Sequence, residues 1–191
     1  MPTNLLRQWT LFTLVIAALM ALSIVVRVGE YIPNVAPIAA LALFAGANLR
    51  LPLALLVPVI TMFISDSIIG FDQIEVTVSV YASFIITTLL GRVLQGKLRP
   101  GRLVGTSLLS STLFYLITNA AVWWWSGMYA RSVDGLTLAY LYALPFFRNT
   151  LLGDMLFTTS IFLAAHAAVQ VSLILLRKYS PADPQASHAA I

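Results

Sequence analysis

The sequence predicts an all-α integral membrane protein, a single domain of six transmembrane helices, and three observations predict it. Of its 191 residues 60% are hydrophobic and only 9% charged, where an ordinary soluble domain carries about 25% charged residues. Several apolar stretches approach the roughly 20 residues that cross a bilayer as helix, and none alternates as a barrel strand does. The basic residues, finally, segregate to one end of the predicted spans. The domain is expected over residues 1–178, with a disordered, Pro-, Ala- and Ser-rich tail over 179–191.

The apolar run Leu11 to Val26 ends at Arg27. It exceeds the about 7 to 15 residues of a signal-peptide core, so a retained first helix is expected. GEYIPN then forms a turn. The run from Val35 to Asn48 is short for a straight span, about 21 Å at 1.5 Å per residue. Its small residues, Ala36 with Ala40 and Ala42 with Gly46, let neighbouring helices approach closely and allow it to be buried. Arg50 and Pro52 reverse the chain into a third helix, Leu51 to Phe71, with Pro58 as a kink and Asp66 near its far end.

After the acidic loop FDQIE, a fourth helix is expected from Val76 to Leu94. The basic connection QGKLRPGR leads to a fifth from Leu103 to Trp125, and SGMYARSVDG is a polar loop. Thr137 to Leu144 reads as a short interfacial helix, and the last span as Thr150 to Leu176. Six spans put both termini on one side, together with Arg7, Arg50, Arg92, Lys97, Arg99, Arg102, Arg177 and Lys178; only Arg27, Arg131 and Arg148 lie opposite. The positive-inside rule makes the termini cytoplasmic.

The remaining polar residues collect in the outer half: Arg27, Tyr31 and Asn34 after helix one, Asp66 ending helix three, Tyr81 in helix four, Asn119 and Trp123 to Trp125 ending helix five, and Arg148 and Asp154 within PFFRNTLLGD. Belt anchoring at the membrane interface accounts for tryptophans and tyrosines. Asp66 and Asp154 fall inside spans, where an unpaired charge costs a few kcal/mol. Two readings stand for them, together with Asn119 and Arg148. One is an internal ion pair with Arg148 or Arg27 that locks helices; the other is a polar-lined cavity open to the outside, with Arg148 and Asp154 as two of its walls.

There is no cysteine, and His166 and His188 lack partners at metal-ligand spacing, so no metal site or thiol chemistry is expected. Without an outer histidine base or a Gly-x-Ser-x-Gly motif, Ser65 beside Asp66 does not make a hydrolase. The basic charge orients the protein in the bilayer and does not indicate nucleic-acid binding.

NVAPIAALALFAGA (Asn34 to Ala47), Ser65-Asp66, Tyr81, Gly91-Arg92, Thr118-Asn119 and PFFRNTLLGD together resemble small bacterial membrane proteins related to the substrate-binding S components of energy-coupling-factor transporters, and among them the solitary BtuM-like cobalamin transporters. The resemblance covers Arg27 to Asp154. It implies an S-component-like bundle in the inner membrane with a periplasmic cavity for a vitamin-like molecule, lined here by Tyr31, Asn34, Asp66, Tyr81 and Arg148. Such members commonly offer a cysteine thiolate to the corrinoid cobalt; this chain has none, so that chemistry is excluded.

The first functional expectation is therefore a non-enzymatic substrate-binding or transport component without a cofactor of its own. A small molecule, a cobalamin-like one by resemblance, is held by Tyr31, Asn34, Asp66, Tyr81, Asn119, Trp123, Arg148 and Asp154. Ala36, Ala40 and Gly46 either dock energy-coupling subunits or pack internally. The second expectation is a structural or assembly subunit of a larger membrane complex.

Overall fold

The computed structural model describes residues 3–29, 34–96 and 99–179. Six α-helices follow in order: α1 (Thr3–Gly29), α2 (Ile38–Asn48), α3 (Leu51–Ile69), α4 (Ile74–Gly91), α5 (Pro100–Trp125) and α6 (Val133–Tyr179), with one 3-10 turn, Arg92–Leu94, closing α4. No strand occurs among the described residues. Five of these helices are long and apolar enough to cross a membrane; α2 is not. Tyr31 and the tail beyond Tyr179 lie outside the described residues.

Two expectations change. The second predicted span shrinks to the 11 residues of α2, about 16 Å, against about 28 Å for the 19 residues of α3. Pro37 occupies the N-cap, where proline is tolerated, and it disfavours helical backbone at the preceding Ala36, so the helix starts there. At the other end of the chain, the interfacial helix and the last span are one helix of 47 residues with Pro145 inside it. In a bilayer a broken helix leaves backbone groups without water to satisfy them, so helix continues through a proline that would end it in a soluble protein. Pro58 is carried inside α3 in the same way.

The short α2 is the hub. Its residues from Ile38 to Gly46 are all buried, and it packs against every other helix. Leu41, Leu43 and Phe44 join Ile16 of α1, Val57 of α3, Leu103 of α5 and Phe162 of α6 in the main core, where Phe44 meets Phe162 edge-on at 5.3 Å between ring centres. Helices α2 and α4 approach closely. A β-carbon at Gly46 would fall on the Thr88 carbonyl oxygen, and one at Gly91 on that of Leu43, so only hydrogen fits at this crossing. Of the small residues for which docking or internal packing was expected, Ala40 and Gly46 are buried against the chain's own helices and Ala36 is half-buried.

The two ends of α2 are treated differently. Near its C-terminus the carbonyls of Phe44, Ala45, Gly46 and Leu49 accept from Asn48, the Leu49 amide, Gln95 and Arg92 at 2.8, 2.8, 3.4 and 3.0 Å, which satisfies groups a helix end leaves open. No side chain caps the N-terminus. There the chain arrives through Asn34, held at a φ of 60°, and beyond it the bundle is hollow.

Candidate functional site

The hollow is a cavity of about 400 Å³ in the half of the bundle where α1 and α3 end. It exists because α2 falls about 12 Å short of α3. Its walls are apolar over Val26, Val35, Ile38, Met62, Val80, Phe84 and Phe114, and polar at Arg27, Asn34, Thr87, Thr150 and Asp154. The first-turn amides of α2, which no intrahelical carbonyl can accept, sit at the cavity end of that helix. Apolar walls with a few convergent polar groups are the usual make-up of a small-molecule site.

Arg27 and Asp66 form an ion pair of 2.6 Å with side chains 24% and 7% exposed. The Arg27 guanidinium also donates to Ser65 Oγ at 2.5 Å, and the Tyr81 hydroxyl donates to Asp66 Oδ2 at 2.7 Å. Of the two partners considered for Asp66 from sequence, Arg27 is the one it has, and the pair ties α1, α3 and α4 together. Its positive charge is therefore largely spent before any ligand arrives.

Asp154 is 5% exposed, lines the cavity, and accepts from Ser111 Oγ of α5 at 2.7 Å. It has no ion-pair partner among the described residues. Arg148 is exposed, does not line the cavity and pairs with no described residue, so Arg148 and Asp154 do not form two walls of one site. Six residues of continuous helix separate them, a rotation of about 240° that puts the two side chains on different faces.

Asn119 donates to the Tyr115 carbonyl of its own helix at 2.8 Å. Trp123 donates to the Ala130 carbonyl at 2.9 Å and borders a separate apolar depression with Trp124 and Trp125. Arg131 stands 5.0 Å over the Trp124 ring, an anchoring arrangement. The structure thus brings Asn34 and Asp154 to the cavity, places Asp66 and Tyr81 behind Arg27 at its edge, and leaves Asn119, Trp123 and Arg148 elsewhere. The apolar lining residues Met62, Phe84 and Phe114 went unnoticed in the sequence because an apolar residue in an apolar helix carries no signal of its own.

The chain matches the description "Family of unknown function (DUF6580)" over residues 5–178. The chain belongs to this family. No curated protein and no solved structure matches it. Among the described DUF6580 residues no three His, Cys, Asp or Glu side chains gather as a metal site would require.

Proposed function

We propose that this protein is a membrane substrate-binding or transport component that takes a small, partly apolar molecule into the cavity at the N-terminus of α2. The observation that carries the reading is the half-length helix itself. A buried helix that stops inside a bundle aims its first-turn amides, and the positive end of its dipole, at whatever fills the space, and discontinuous helices of this kind hold anionic substrate groups in transporters. The substrate therefore carries a carboxylate or a comparable acceptor for those amides and an apolar body for Val35, Phe84 and Phe114. A volume of about 400 Å³ lies toward the lower end of the roughly 300–1,000 Å³ range of ligand pockets. That volume favours an occupant smaller than the cobalamin-like substrate implied by resemblance.

The basic-residue census supports cytoplasmic termini and a cavity facing outward across a bacterial inner membrane. With five long helices, this topology requires the short α2 to bring the chain back to the side from which α3 starts. Native mass spectrometry of gently extracted protein tests the reading. A small molecule should be released from the wild type and be absent from Ala36→Phe, which fills the cavity from the segment leading into α2. If neither protein carries a ligand and a panel of small carboxylates leaves the wild-type Tm unmoved, the cavity is not a binding site. The Arg27–Asp66 pair then favours a structural subunit.

A further inference from the structure

Beneath the cavity, one helical turn further from its open half, lies a group of oxygens that the substrate reading does not use. Asp154 and Thr158 are four residues apart on α6, and Ser107 and Ser111 four apart on α5, so each pair shares a helix face; the Ser111–Asp154 hydrogen bond of 2.7 Å joins the two faces. The four residues are 5%, 0%, 1% and 0% exposed respectively. On the same α6 face the next turn brings Phe162 against Phe44, which places Thr158 in the bundle interior beside α2.

Ser107 Oγ and Thr158 Oγ1 are buried without a hydrogen-bond partner among the described residues. This is unusual in this molecule. The other buried helical threonines, Thr61, Thr87, Thr88, Thr106 and Thr118, each donate to the carbonyl four residues back. Thr158 and Ser107 have the same option and do not take it. Ser107 lies one turn from Ser111 and Thr158 one turn from Asp154, so the two orphaned hydroxyls flank the Ser111–Asp154 bond, and a carboxylate there without a counter-charge suits a common partner.

The geometry points to a site for a monovalent alkali cation formed by the Asp154 carboxylate and the hydroxyl oxygens of Ser111, Ser107 and Thr158. All the donors are hard oxygens, the class that holds alkali and alkaline-earth ions. A single carboxylate selects the charge: one positive charge neutralises the site, while a divalent ion would leave an excess in the low-dielectric interior. Binding there sets the Asp154 wall of the cavity above, so the ion and the cavity's occupant are energetically linked. The site goes beyond the proposed substrate role and does not depend on it.

The test is a thermal unfolding titration of the purified full chain in lipid nanodiscs, with sodium chloride replacing choline chloride at constant ionic strength and pH and no substrate added. Saturating sodium should raise the Tm by roughly 5 °C. Asp154→Asn should abolish the rise, and Thr158→Val and Ser107→Ala should each weaken the apparent sodium affinity several-fold. Thr112→Val on α5, whose hydroxyl is already bonded to the Leu108 carbonyl, should keep the full response. Should Asp154→Asn fail to fold, Thr158→Val and Ser107→Ala still decide the matter. A wild-type Tm indifferent to sodium, as expected if the hydroxyls hold only water or the carboxylate only a proton, overturns the proposal, as does an undiminished response in Asp154→Asn. Because no substrate is present, either result leaves the cavity reading to stand or fall on its own experiment.

Discussion

The Arg27–Asp66 pair permits a double-mutant cycle whose outcome follows from its surroundings. Replacing Asp66 with Ala removes the acceptor for Arg27 at 2.6 Å and for Tyr81 at 2.7 Å. Breaking a buried pair from one side costs about 3–5 kcal/mol, mainly from the charge left behind. Arg27 keeps 24% of its side chain exposed, so part of its charge is recovered by solvent and the lower end, about 3 kcal/mol, is expected. Arg27→Met leaves a carboxylate only 7% exposed with Tyr81 as its remaining partner, at a similar cost of about 3 kcal/mol. The double variant Arg27→Met/Asp66→Ala strands no charge and should cost little more than either single change, giving a coupling of about 2–3 kcal/mol. Denaturant unfolding of the four proteins in one detergent measures it. Additive losses, with coupling under about 0.5 kcal/mol, would refute the argument that the pair is an internal latch.

Other outcomes are equally specific. Gly46→Ala and Gly91→Ala each drive a β-carbon into the facing helix backbone and should cost about 3 kcal/mol or more, whereas Gly105→Ala meets nothing within 4 Å and should stabilise α5 by about 0.5–1 kcal/mol; unfolding midpoints rank the three. Tyr81→Phe removes one hydrogen bond to a carboxylate and should lose about 1.5–3 kcal/mol, less than Asp66→Ala, in the same denaturant assay. Asn34, at a φ of 60°, should tolerate glycine without loss but cost about 1–2 kcal/mol as alanine, again read from unfolding midpoints.

The all-helical class, its helices long and apolar enough to cross a membrane, and the approximate ends of α3, α4 and α5 were legible because long apolar runs bounded by charge and proline admit few other structures. What misled was proline. Pro145 was expected to separate an interfacial helix from a span, yet the cost of open backbone groups in a bilayer keeps the helix continuous. Pro37 did the opposite: it set the start of α2, and with it the depth of the cavity, while the composition around it only suggested a short span. At the site, Asp154 was visible as a charge in an apolar run. Its partner Ser111 was one serine among several in helix five, and only the rotation of α5 against α6 distinguishes it. Arg148 drew attention for the same reason as Asp154, but its neighbours along the chain could not reveal that it faces away.

The shortness of α2 also bears on how the protein is made. Eleven residues fall well under the roughly 20 that a bilayer accepts as a span, so α2 is not expected to enter the membrane as an independent unit. Its full burial requires α4, α5 and α6 around it as well as its chain neighbours α1 and α3. The central element of the bundle is thus covered mainly by α3 and α4 and completed by α6, so its burial joins segments from both ends of the chain.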